Sequence, residues 1–413
     1  MEIQRSQIAS DAPGGQDHGG GFEVPDCHSC SILVIDDEGL IRTLIGHVLT
    51  SAGFTDVDFA ADGQAGLDKA METHPDLIIL DLNMPGLDGV TVLTRLRADG
   101  RFDETPIIVE TANNSTEARN DVLRLGATNI VSKPLDAGIL LDRVRLHLEK
   151  NLMMESLKKY HDRVEQELES ARGMQMQLLP PAAEIEEVEH AYGVRLDWHF
   201  QPSSELGGDW WGVHAIDDDR FAIFVVDFSG HGVGAAINTF RLHTVMAEVK
   251  PLAARPSQYL EVLNDLLVDL IPRGQFATML HATIDVATHT ITYASAGHTA
   301  PVIGNFAAGT LAMRDRSGLP LGIKANTEYT DHELPFGADD CLFLYSDALI
   351  ESPGTDGTEL DDPMLMGWIN DYAALPDEGT GCLQWLMDRF YGYAATPIPD
   401  DVTAIWVQRN ADP

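Results

Sequence analysis

Five short apolar runs, SILVID, DVDFA, DLIILD, PIIVET and NIVSK, recur between residues 31 and 133 with helical stretches between them. Strands that alternate with helices in this way form a doubly wound, five-stranded parallel α/β sheet, because each parallel crossover needs a connection long enough for a helix. The working edge of such a sheet lies at the carboxyl ends of its strands. Asp36 and Asp37 end the first run, Asp81 the third, Thr111 the fourth and Lys133 the fifth. Three carboxylates gathered at one edge repel one another unless a divalent cation neutralises them, and Mg2+ favours such oxygens. A hydroxyl and an ammonium at the same edge suit phosphoryl oxygens.

The stretches VIDDE, LDLNMPGLDG, ETA and SKP together resemble the response-regulator receiver domain over residues 31–148. The resemblance implies that Asp81 is the phosphoacceptor and that Asp37, Asp81 and the Asn83 carbonyl hold Mg2+, with Asp36 assisting through water. It implies that Thr111 and Lys133 bind the phosphoryl group as the switch pair, and that a cis peptide precedes Pro134. A sensor histidine kinase is the partner it implies. Two positions depart from the pattern: Ile130 stands where an aromatic residue is usual, and Glu110 where an apolar one is common. Both favour signal transfer through the helix at 139–178 over an aromatic rotamer.

Residues 1–30, with DAPGGQDHGGGFE among them, read as a disordered tail. Residues 149–180 read as a helical linker ended by Pro180-Pro181. Within it Leu157, Val164, Ala171 and Leu178 recur every seven residues, while the companion row drifts between Tyr160/His161, Glu167/Leu168 and Met174/Gln175. This coiled-coil-like stripe favours a homodimer. The net charge of −38, from 65 acidic against 27 basic residues, repels nucleic acid and anionic lipid, so neither is an expected partner. Four cysteines are too few for a disulfide framework; Cys27 and Cys30 form a lone CxxC, and Cys341 and Cys382 sit in core-like surroundings. No charged-then-apolar leader opens the chain and no apolar run reaches spanning length, so a soluble, cytoplasmic protein is expected.

From 181 to 410 the texture becomes that of an α+β domain, with strands RLDWHFQP, RFAIFVVDF, ATMLHATID, HTITYASAG, CLFLYSDAL and VTAIWVQ around helices INTFRLHTVMAEV and SQYLEVLNDLLVDLI. Its polar residues pose a choice. In FVVDFSGHGVGAA, Ser229 and His231 suggest a hydrolase nucleophile and base, whereas Asp227 at a strand end suggests a metal. Asp209 follows two glycines, Asp347 ends a strand, and Asp400-Asp401 precede one. Each aspartate alone reads as a turn former. Together, aspartates at strand ends can hold two hard cations, which activate water and balance a phosphoryl transition state.

The stretches ARGMQMQLLP, ELGGDWW, VVDFSGHGVGAA, ATMLHATID, YASAGHTAP, GLPLGI, LFLYSDALIES and DDVTAIWV, in that order, resemble the PPM (PP2C-like) phosphatases of the bacterial branch that regulates sigma factors by partner switching. That resemblance implies a PP2C-like β-sandwich flanked by helices, two Mn2+ or Mg2+ ions and hydrolysis of phosphoserine or phosphothreonine. It implies that Asp227 is the shared ligand, with the Phe228 carbonyl beside it. Asp209 and Asp347 would bind one metal each or through water, and Asp400 would complete the second, with Asp401 as the neighbouring candidate. Asp227 and Asp209 then carry the catalytic metals, Ser229 is no nucleophile, and His298 is structural. Ala348 stands where glycine is usual after the metal aspartate. The expected whole is a response regulator whose phosphatase output, controlled at Asp81, acts on a phosphorylated anti-sigma-factor antagonist. The alternative is a non-catalytic adaptor that binds a sigma factor or its regulator; relatives of that kind lack the aspartates.

Overall fold

The computed structural model describes residues 26–113, 115–230, 232–305, 308–373 and 381–410. These fall into two compact units, divided between Arg163 and Val164.

In the first unit the five expected strands are all present: β1 (Ser31–Ile35), β2 (Asp56–Ala60), β3 (Leu77–Asp81), β4 (Ile107–Thr111) and β5 (Asn129–Ser132). They pair in parallel in the order β2-β1-β3-β4-β5. Helices α1 (Gly39–Ser51), α2 (Gly63–Thr73), α3 (Gly89–Arg97) and α4 (Thr116–Arg124) make the crossovers. Three of them start at side-chain caps: Asp62 accepts from Ala65 N, Asp88 from Thr91 N and Ser115 from Ala118 N. Each cap satisfies an N–H that a first helical turn otherwise leaves unpaired. Strand residues alternate between two apolar clusters, Leu33, Ile35, Ile78 and Leu80 in one and Ile32, Val34, Leu77 and Ile79 in the other. Burial on both faces explains the nearly unbroken apolar runs.

Two boundaries differ from the sequence reading. Residues 1–25 lie outside the described residues, but the end of the expected tail is ordered. Cys27–Ser29 form a short 3-10 turn capped by Asp26, and Cys27 and Cys30 are buried in the cluster beside β1. The linker expected over 149–180 is not a separate element but the continuation of the helix expected over 139–178: α5 runs unbroken from Ala137 to Met176. Its amphipathic first turns and the linker are one helix because no proline separates them.

The second unit is built on two five-stranded antiparallel sheets. The first has the order β13-β10-β9-β8-β7, from β7 (Trp210–Ala215), β8 (Arg220–Phe228), β9 (Ala277–Asp285), β10 (Thr290–Ala296) and β13 (His332–Pro335). The second has the order β12-β11-β14-β15-β6, from β6 (Val194–Gln201), β11 (Val302–Asn305), β12 (Ala312–Met313), β14 (Asp340–Tyr345) and β15 (Val402–Arg409). Ile223, Val225, Leu280 and Ile284 from one sheet join Leu342, Leu344, Ile405 and Val407 from the other in a single core. Helices α7 (Val233–Val249) and α8 (Pro256–Leu270) contribute to that core. A second cluster packs α10 (Asp362–Ala373) and α11 (Cys382–Tyr393) on Val302, Phe343, Tyr345, Ala404 and Trp406. Two sheets between helices make the β-sandwich expected. α6 (Ala182–Tyr192) and a short α9 (Ala348–Glu351) complete the unit. No helix among the described residues is long and apolar enough to cross a membrane.

Candidate functional site

At the carboxyl edge of the parallel sheet, Asp36, Asp37 and Asp81 bring carboxylate oxygens within 4.8 Å of one another. Lys133 joins them, its Nζ donating to Asp81 Oδ2 at 2.7 Å and to Asp36 Oδ2 at 3.0 Å. Burial opposes the ammonium charge, but the bonds to Asp81 and Asp36 outweigh it and hold the Lys133 pKa above its ordinary value. Asn83 N donates to Asp81 Oδ1 at 3.2 Å, and Thr111 Oγ1 accepts from Asn113 N at 3.1 Å. The Lys133–Pro134 peptide is cis. Gly89 must be glycine, since a Cβ there would lie 2.1 Å from the Asp81 carbonyl. Ile130, in the aromatic position, is buried in the core. Glu110 is fully buried, and neither of its carboxylate oxygens finds a hydrogen-bond partner. Burial raises its pKa from 4.5 to about 7, with Lys133 opposing and Asp36 and Asp81 adding to the rise.

In the sandwich, the aspartates come from four separated segments. Asp209 sits in the turn before β7, Asp227 near the end of β8, Asp347 at the start of α9 and Asp400-Asp401 just before β15. Burial first, then repulsion from Asp227 and Asp401, pushes the Asp209 pKa well above its ordinary value. Asp227 is raised by burial and by Asp347 and Asp400. Asp347 is raised to about 6 by burial, Asp400 and Glu351. These repulsions make Asp209, Asp227, Asp347, Asp400 and Asp401 electrostatic neighbours of one another.

Three of them also accept from protein donors. Asp209 Oδ2 accepts from Thr403 Oγ1 at 2.6 Å. Asp401 Oδ1 accepts from Ser203 N at 2.6 Å and Ser203 Oγ at 3.0 Å, while its Oδ2 accepts from Gly208 N at 2.5 Å and Asp209 N at 3.4 Å. Those four donors occupy both Asp401 oxygens and fasten the turn that carries Asp209. Asp400 turns its Oδ1 toward Asp401 N at 2.8 Å. A Cβ on Gly207 would meet Asp401 Oδ2 at 2.6 Å and one on Gly208 the Phe228 carbonyl at 2.9 Å, which is why two glycines precede Asp209.

Sequence reasoning missed the second clamp on this turn. Gln175, 5% exposed near the end of α5, donates from Nε2 to the Gly207 carbonyl at 2.6 Å and accepts from Gly207 N at 3.1 Å. Trp210 Nε1 donates to the Leu178 carbonyl at 2.9 Å, so the helix terminus brackets Asp209 on both sides. The ARGMQMQLLP stretch contained this signal, but only the fold reveals its partner.

Ser229 is committed to the backbone: its N donates to the Phe276 carbonyl at 2.9 Å and its Oγ accepts from Phe276 N at 3.0 Å. Both contacts tie Ser229, at the end of β8, to the Phe276 backbone. His231 lies outside the described residues. His298 is buried, with Nδ1 2.9 Å from Thr278 Oγ1. Burial lowers its pKa to about 4, partly offset by the Tyr345 carbonyl. Ala348 is buried, its methyl group taken into the core under α9.

Residues 32–145 match the family model of the response regulator receiver domain, and residues 217–410 that of stage II sporulation protein E (SpoIIE). The phosphoserine phosphatase RsbP of Bacillus subtilis is 28% identical over 162 residues, 38% of this chain and 40% of that protein. The transcriptional activator protein IrlR of Burkholderia pseudomallei is 42% identical over 125 residues, 30% of this chain and 53% of that protein. The chain thus spans about half or less of these curated relatives. The SiaA PP2C domain of Pseudomonas aeruginosa shares the fold, with a TM-score of 0.51 and 18% identity over 62% of this chain and 98% of that one.

Proposed function

We propose that this chain, a response-regulator receiver domain followed by a SpoIIE-type, PP2C-like domain, is a metal-dependent phosphoserine/phosphothreonine protein phosphatase controlled by phosphorylation of Asp81. The observation that carries the reading is the mutual proximity of Asp209, Asp227, Asp347 and Asp400: burial raises the pKa values of the first three, and each is pushed further by neighbouring carboxylates, Asp400 among those acting on Asp227 and Asp347. An all-carboxylate set of this kind fits hard divalent cations and is costly without them.

Asp227 with the Phe228 carbonyl, Asp209, Asp347 and Asp400 would hold two Mn2+ or Mg2+ ions. Bound there, such ions would supply an activated water and charge balance at the phosphoryl group. The hydrogen bonds of Asp401 favour a positioning role: it fixes the turn from which Asp209 projects. Thr403 orients the Asp209 carboxylate in the same way. In the receiver, Asp36, Asp37, Asp81 and Asn83 would hold Mg2+, and Lys133 and Thr111 would take the phosphoryl oxygens.

The substrate class follows from the family resemblance and from the name of RsbP: a phosphoserine protein, in this branch a phosphorylated anti-sigma-factor antagonist. A sensor histidine kinase would phosphorylate Asp81, in the cytoplasm. α5 is the natural conduit, because one continuous helix carries Gln175 to the Gly207 backbone. Leu146, Met153, Leu157 and Tyr160 are exposed on that helix at heptad-related spacings, which supports homodimerisation along it. Hydrolysis of a phosphoserine peptide by the full chain tests the reading. Turnover should need Mn2+ or Mg2+ and vanish in Asp227→Ala; turnover in excess EDTA would contradict it.

A further inference from the structure

Beside the aspartates lies a cavity of about 200 Å³ lined by Thr278, His298, Arg316, Asp347 and Glu351, among others. At about 30 Å³ per water it has room for roughly six waters, or for a phosphorylated side chain with a partial shell. Its lining is anionic on one side, through Asp347 and Glu351. Among the described residues that line it, Arg316 is the one cation, since burial keeps His298 neutral.

Arg316 has a fixed base and a half-exposed head. Its backbone belongs to a loop fastened to β10: Tyr293 OH donates to the Asp315 carbonyl at 3.0 Å and Ser295 Oγ to the Arg316 carbonyl at 3.5 Å. Ser317 N closes the loop on Asp315 Oδ1 at 2.9 Å. The guanidinium instead faces Asp362 at 3.6 Å, with the two side chains 52% and 30% exposed. A long, solvated pair of this kind contributes little and is readily exchanged for a better anion. Phosphate is such an anion, because a guanidinium can grip two of its oxygens at once.

We propose that this cavity is the phosphoryl subsite of the substrate, with Arg316 gripping the non-bridging oxygens from the side opposite Asp347. The inference rests on the phosphatase reading and extends it: Arg316 selects a dianionic phosphomonoester in a protein whose charge of −38 otherwise repels one. On binding, the guanidinium leaves Asp362 for the phosphoryl oxygens, while Thr278 and His298 form the neutral wall.

Inorganic phosphate titrated calorimetrically into the full chain with Mg2+ reads the site without turnover. Wild type should bind saturably, Arg316→Ala should weaken binding about tenfold or more, and Arg316→Lys should recover part of the loss. Equal affinity in wild type and Arg316→Ala, or no saturable binding by wild type, overturns the inference. Hydrolysis of para-nitrophenyl phosphate run in parallel separates the two claims. Turnover with KM unchanged in Arg316→Ala would sink the subsite and leave the phosphatase standing. Arg316-dependent phosphate binding with no turnover by wild type would do the reverse. Arg316 is half-exposed, so the thermal melts of the variants should coincide with that of wild type.

Discussion

Asp400 and Asp401 are adjacent and chemically identical, yet their surroundings differ, and the proposed reading gives them opposite jobs: Asp400 to hold metal, Asp401 to fix the Asp209 turn. Asp401→Ala removes a 2% exposed acceptor from Ser203 N, Ser203 Oγ and Gly208 N, plus the longer contact from Asp209 N. Hydrogen bonds to a charged group contribute about 1.5–3 kcal/mol each and are not additive, so a loss of about 3 kcal/mol is a conservative figure. Removing a negative charge from the cluster works the other way. That relief is small in metal-free protein, because Asp209 and Asp227 are already driven toward their neutral forms. The hydrogen-bond loss wins. At roughly 2–4 °C per kcal/mol for a domain of this size, the sandwich should melt roughly 6–12 °C lower. Asp400→Ala gives up the contact from Asp401 N and relieves repulsion on Asp347 and Asp227, so its melt in EDTA should stay close to wild type. With Mn2+ added, wild type should gain stability through binding and Asp400→Ala should gain much less. Calorimetry of both variants, with EDTA and then with Mn2+, makes the comparison. Melts of the two variants that coincide within a degree in EDTA would refute the division of labour.

Three further outcomes are expected. Glu110 has its folded pKa raised to about 7 from 4.5, so its contribution is fully present below about pH 4.5 and lost as the pH rises through 7. The gap corresponds to about 3 kcal/mol, so in EDTA at pH 8 Glu110→Met should slow hydrogen exchange across β3 and β4, an advantage that shrinks toward pH 5; pH-independent protection would refute this. Gln175→Ala strands both polar groups of the buried Gly207 peptide and should cut phosphatase turnover about tenfold through the Asp209 turn without changing helix content by circular dichroism. Leu157→Glu with Tyr160→Glu should lower the sedimentation coefficient to that of a monomer, and an unchanged value would remove the helix stripe as the dimer seam.

The parallel sheet was legible because burial on both faces leaves nearly unbroken apolar runs in β1, β3, β4 and β5, each ending at or beside a candidate site residue, whereas the edge strand β2 carries two aspartates and no candidate. In the sandwich the long strands were equally plain, but β7, β11, β12 and β13 were not. β7 is interrupted by Gly212, and the other three have only two to four residues each, too short for alternation to register. α10 and α11 escaped because Met, Trp, Tyr and Gly break their pattern, although they pack the outer face of the second sheet. The aspartates could be chosen from their strand-end positions. The family resemblance ranked Asp400 above Asp401, but the role of Asp401 was out of reach, since it rests on the contacts to Ser203 and Gly208. Gln175, Thr403 and Arg316 act through tertiary neighbours or belong to a loop without any motif, and no spacing announces them.

The most direct measurement is turnover of an aryl phosphate with Mn2+ by wild type, Asp81→Ala and Asp227→Ala, each with and without a small-molecule phosphodonor for the receiver. Wild-type turnover should change when the donor is added, Asp81→Ala should turn over at a rate the donor does not alter, and Asp227→Ala should be inactive in both conditions. Turnover that survives Asp227→Ala, or a donor response that persists in Asp81→Ala, would contradict a metal-dependent phosphatase governed by its receiver.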